Sequence, residues 1–107
     1  MSNASPVFLG QFPAIKAGDI ADRYIQLSQG ADDGDLAADE AISSVTFSVK
    51  NSAGTVQTGA IGAHSETDTR TDFRINAPAT AGMYELTAVF TINDGQKITR
   101  TATLRIV

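Results

Sequence analysis

Tyr84-Glu-Leu-Thr-Ala-Val-Phe-Thr-Ile92, YELTAVFTI, sets Tyr84, Leu86, Ala88, Phe90 and Ile92 on one side and Glu85, Thr87, Val89 and Thr91 on the other. A period of two sustained over such a run marks a β-strand with one face in the core, and the apolar content predicts a central place in its sheet. Asn93-Asp-Gly95 follows, a turn sequence whose residues tolerate positive φ. Alternation resumes from Lys97 to Val107 through Ile98, Ala102, Leu104 and Ile106, so the two segments predict an antiparallel hairpin. Arg100 shares the parity of those apolar residues. That predicts either an open end where its guanidinium reaches water or a bulge that shifts the register, and the open end is preferred.

Further strands appear upstream. Ile42 to Val49, ISSVTFSV, alternates Val45, Phe47 and Val49 with Thr46 and Ser48. Arg23 to Ser28 places Ile25 and Leu27 on one face, and Thr71 to Asn76 does the same with Phe73 and Ile75. Asn51-Ser-Ala-Gly54 reads as a turn into a short segment, Thr55 to Thr58, and residues 59–63 as a weak edge strand or loop. No segment carries helical periodicity with caps. About seven short strands at roughly 10-residue spacing predict an all-β, immunoglobulin-like two-sheet sandwich. Tyr84 sharpens that expectation. It opens the penultimate strand two residues before the buried Leu86, where immunoglobulin-like domains carry a tyrosine whose hydroxyl bonds upstream backbone. Tyr84, Leu86 and Phe47 are therefore the expected structural residues.

The totals narrow the function classes. A chain of 107 residues fits one domain, with residues 13–107 as the sandwich and residues 1–12 as an N-terminal arm or first strand. Hydrophobic residues make up 42%, but sixteen of them are alanines, so the core is expected to be small. A net charge of -4 argues against nucleic acid, which selects basic patches. Without cysteine there is no disulfide, thiolate metal site or cysteine nucleophile. No apolar run approaches the roughly 20 residues that span a bilayer, and MSNASPVFLG lacks the features of a signal peptide, so a soluble chain with no membrane contact is expected.

Gln29 to Glu40, QGADDGDLAADE, crowds Asp32, Asp33, Asp35, Asp39 and Glu40 into one loop. With Gly34 at the invariant sixth position of an EF-hand, Asp33, Asp35 and Glu40 fall on ligand positions, but the first and third become Gln29 and Ala31, and strands flank the loop where helices are required. A solvated connection is preferred, with one short helical turn at residues 36–41, and an electrostatic contact with a basic surface comes second. A looser calcium site on Asp32, Asp33, Asp35 and Asp39 is the minor alternative, Asp33, Asp35 and Glu40 are the weak metal candidates, and no cofactor is expected. His64, the single histidine, sits in GAHSETDTRTD near Ser65, Glu66 and Asp68 and is read as a solvated loop residue, because a catalytic triad draws its members from separated positions. No catalytic residue is assigned. Val7, Phe8, Leu9 and Phe12 form an apolar patch that either packs as a first strand on its own domain or docks on a neighbouring subunit, and any docking is expected to rest on Phe8, Leu9 and Phe12.

Gly18-Asp19 before Asp22-Arg-Tyr-Ile-Gln-Leu27, Ile42-Ser-Ser-Val-Thr-Phe-Ser-Val49, Ala81-Gly-Met-Tyr-Glu-Leu-Thr87, and Gly95 through Arg100 to Leu104 carry a resemblance over most of residues 12–107. They resemble the small immunoglobulin-like accessory proteins of tailed bacteriophages, described as fibre-related or fibre-tail adaptor proteins. The third strand departs from that pattern in having no tryptophan. What the resemblance implies is a non-enzymatic virion structural protein at the neck, tail or fibre attachment region, assembled in the host cytoplasm. Its partners would be other virion proteins (capsid, neck, tail or fibre subunits), and it would be present in multiple symmetric copies. Capsid decoration and adhesion or carbohydrate binding are the alternative roles.

Overall fold

The computed structural model describes residues 7–28 and 36–107, with backbone alone for residues 7–11. Its strands, among the described residues, are β1 (Val7–Gln11), β2 (Ile20–Gln26), β3 (Ile42–Asn51), β4 (Ile61–Glu66), β5 (Arg70–Asn76), β6 (Gly82–Ile92) and β7 (Lys97–Ile106). No helix occurs among the described residues. One sheet has the order β1-β7-β6-β3 and the other β2-β5-β4, with every pairing antiparallel except β1 with β7. The two sheets pack face to face.

Alternation decides which side chains meet between them. Leu86, Ala88, Phe90 and Ile92 of β6 and Ile98, Leu104 and Ile106 of β7 face Ile25 of β2 and Phe73 and Ile75 of β5, all buried. Phe47 is only half-buried, because it lies at the edge where β3 meets β4; its ring packs 4.8 Å from that of Phe73. Leu36 is 0% exposed and its amide donates to the Ser28 carbonyl at 2.9 Å. It pins the far end of the acidic connection into the core.

Two hairpin turns follow their glycines. Gly95 donates to the Ile92 carbonyl at 2.9 Å, Ile92 donates to the Gln96 carbonyl, and Gly95 alone of the three turn residues has positive φ, at 93°. That is a type I turn closed by a left-handed glycine. Asn51 and Gly54 repeat the device, and the Asn51 side-chain oxygen accepts from the amides of Ala53 and Thr55. Tyr84 is buried with its hydroxyl donating to the Thr80 carbonyl at 2.7 Å, which ties the start of β6 to the preceding corner.

Several expectations are corrected. Arg100 lies at no open end: it is 2% exposed, it sits in an unbroken β6–β7 register opposite Ala88, and β1 runs beside it with Val7 as its register partner. Its guanidinium donates to the Thr99 carbonyl at 3.0 Å. Adding β1 as a fourth strand turns what the hairpin alone would leave as an edge into an interior position. Residues 36–41 form a β-turn, closed by Glu40 donating to the Ala37 carbonyl at 3.0 Å, where a helical turn was expected. His64 belongs to β4, because pairing with β5 continues to Glu66.

Candidate functional site

The outer face of the three-stranded sheet gathers charged and aromatic side chains. On β5 the inward set is Thr71, Phe73 and Ile75, so Arg70, Asp72 and Arg74 must point out. On β2 the same alternation turns Ile20, Asp22, Tyr24 and Gln26 outward. Register then sets their neighbours: Asp22 lies opposite Arg74, Tyr24 opposite Asp72, and Gln26 opposite Arg70. On the other flank Ser65 of β4 lies opposite Asp72.

The side chains lock into one another. Arg74 reaches across to Asp22 with Nε–Oδ1 at 2.9 Å and a second contact from its terminal nitrogen at 3.4 Å. Arg70 donates twice to Asp72 Oδ1, at 3.0 and 2.7 Å, while its guanidinium carbon sits 4.0 Å from the Tyr24 ring centroid. Hydrogen bonding from Arg74 holds the Asp22 carboxyl below its ordinary value, and Asp72 raises the Arg70 guanidinium above its own. Tyr24 nonetheless stays 54% exposed and Ile20 64%. Asp22, Tyr24, Ser65, Arg70, Asp72 and Arg74 line an open hollow of about 520 Å³. Matched charges around an exposed aromatic make a surface of the composition that docks, since aromatic and arginine anchors carry most interface energy.

On the inner side of the same sheet His64 Nδ1 lies 2.6 Å from Glu66 Oε2, which also accepts from the buried Thr71 hydroxyl at 2.9 Å. The imidazole packs edge-on against Phe47, with ring centroids 5.2 Å apart. A carboxylate orienting an imidazole is half of a nucleophile-activating device. Ser65, however, projects from the opposite face of β4, since neighbouring strand residues alternate. The arrangement closes the β3–β4 edge of the sandwich with a polar latch.

The remaining sequence candidates are scattered. Phe12 is half-buried against the core, its ring edge-on to Phe73 at 6.0 Å, so it contributes to the domain's own packing. Val7, Phe8 and Leu9 run along β7 of their own chain in β1; their side chains lie outside the described residues, as do Asp32, Asp33 and Asp35. Asp39 offers its carbonyl to Asn93 Nδ2 at 3.3 Å. Glu40 accepts from the Ala37 amide at 2.8 Å and from Gln96 Nε2 at 3.3 Å, so its carboxylate serves the turn and stitches it to the β6–β7 hairpin. Among the described residues no group of metal-ligating side chains gathers.

Sequence reasoning passed over Tyr24, Asp22, Arg70, Asp72 and Arg74. A signal was present in Arg70-Thr-Asp-Phe-Arg74, where charges of alternating sign recur at period two between inward residues. The partners across the sheet needed the register. No protein-family model matches the chain, and no curated protein matches it.

Proposed function

We propose that the chain is a non-enzymatic, immunoglobulin-like module of a tailed-bacteriophage virion that docks on a neighbouring subunit through the outer face of β2, β5 and β4. The immunoglobulin-like part draws support from the strand orders: β2-β5-β4 corresponds to B-E-D and β7-β6-β3 to G-F-C, with the first strand added beside G. The bond from the Tyr84 hydroxyl to the Thr80 carbonyl, at the start of the F-equivalent strand, points the same way. The virion part rests on the resemblance of residues 12–107 to phage accessory proteins.

The observation that carries docking is Tyr24, half exposed and held beneath Arg70 in a row of matched ion pairs. The test is to look for the chain in purified particles by mass spectrometry, and then to compare wild type with the triple variant Tyr24→Ser, Arg70→Ser, Arg74→Ser. Stoichiometric incorporation of wild type and loss of at least about tenfold in the folded variant is the expected result. Absence of the chain from particles, or equal incorporation of the variant, overturns the proposal.

A further inference from the structure

We infer that β2 is an open docking edge and that its occupant is β2 of a second copy, paired antiparallel about Tyr24 into one continuous six-stranded sheet. The inference stands independently of any role in a particle.

The ladder identifies the free backbone groups. At the two ends of the β2–β5 register Ala77 donates to the Asp19 carbonyl at 2.9 Å and Leu27 to the Thr69 carbonyl at 2.8 Å. Bonded and non-bonded pairs alternate in an antiparallel ladder, so the odd residues from 19 to 27 turn their amides and carbonyls to β5. Ile20, Asp22, Tyr24 and Gln26 therefore turn theirs to the open edge, where nothing among the described residues pairs with β2.

Every other edge carries protection. The β4 register breaks between Ile61 and His64, and the β1 register between Phe8 and Gln11. The β3 register breaks between Ile42 and Ser44, and its far end is covered by the segment after the turn, with Gln57 donating to the Val49 carbonyl at 2.7 Å. By contrast β2 pairs without a break along its whole length, contains no proline, and exposes Ile20 and Tyr24. A regular, partly apolar edge is a template for another strand. Among the described residues it is covered by Arg23, whose guanidinium donates to the Asp22 carbonyl at 2.8 Å and the Pro13 carbonyl at 3.4 Å while its Nε is buried without a partner. An incoming amide takes over the Asp22 carbonyl from that guanidinium.

Charge disfavours two of the central registers. Centring the two-fold on Arg23 sets guanidinium against guanidinium, and centring it on Asp22 sets carboxylate against carboxylate, which is unfavourable directly across strands. Centring it on Tyr24 pairs tyrosine with tyrosine and Asp22 with Gln26 of the second copy, whose own β5 neighbour is Arg70. The outward row then reads Arg74, Asp22, Gln26, Arg70 across the junction, with no like charges adjacent.

Sedimentation of the full chain from micromolar to millimolar concentration tests this. Wild type is expected to dimerise. Tyr24→Lys and Tyr24→Glu, each checked for folding by circular dichroism, are each expected to weaken self-association by about tenfold or more, and an equimolar mixture to restore it as a heterodimer. Gln26→Glu, which sets a carboxylate beside Arg70 of its own chain and against Asp22 of the second copy, is expected to loosen the dimer and keeps the test open if a Tyr24 variant does not fold. A wild type that stays monomeric, a dimer indifferent to Tyr24→Lys, a mixture of folded variants that fails to associate, or a Gln26→Glu variant as tight as wild type overturns the inference.

Discussion

Tyr84 and Leu36 illustrate two ways in which a single side chain holds the sandwich together. Tyr84 contributes a ring to the core and one bond to a corner carbonyl, so Tyr84→Phe removes the bond alone. We expect a loss of about 1–2 kcal/mol in urea unfolding, with the fold intact. Leu36 fills core space at the end of the acidic connection, and Leu36→Ala should cost about 2–5 kcal/mol, more than an exposed loop position would. Asp22 makes a pH-dependent contribution. Arg74 holds its folded-state pKa below the ordinary 3.8, so its stabilisation is complete above that value and disappears as pH falls through the lower folded value. Asp22→Asn should therefore flatten the acid limb of the stability curve without moving the neutral plateau much, because an exposed pair is screened by solvent. An acid limb as steep as that of wild type would contradict this role.

At the scale of elements, the hairpin was legible because one period ran through both strands and a turn sequence stood between them. Gly95 is the residue on which its geometry depends: at φ 93°, Gly95→Ala should cost about 1–2 kcal/mol, measurable as a lower melting temperature. The fate of Arg100 was hidden for a related reason. Its parity was plain in Lys97 to Val107, but β1 lies some ninety residues away in sequence and pairs in parallel, so no local pattern announces that β7 is an interior strand. His64 was misplaced because Gly62 and Ala63 interrupt alternation at the register break, which made the end of β4 look like a loop. Leu36 was an isolated apolar residue among acids, with no periodicity to signal burial.

At the scale of the molecule, inward and outward faces of β2, β3, β5, β6 and β7 could be assigned from the sequence, and a two-layer architecture follows from those faces. The proposed docking face could not be assigned in that way. Asp22 with Arg74 and Tyr24 with Arg70 join residues about fifty positions apart, and only the pairing of β2 with β5 brings them together. The open edge was equally hidden, since it depends on what the other strands cover. The acidic loop, the most conspicuous feature of the sequence, is anchored at its described end by Leu36 and by Glu40 to the neighbouring hairpin. The proposed working surface is β2 and the face it borders. Residue-resolved amide exchange, followed as protein concentration is raised, examines that edge directly. At low concentration the amides of Ala21, Arg23 and Ile25 should exchange slowly and those of Asp22, Tyr24 and Gln26 fast; at high concentration the second group should become protected while the first is unchanged. Slow exchange of Asp22, Tyr24 and Gln26 at every concentration, or fast exchange at every concentration, would contradict an edge that waits for a partner.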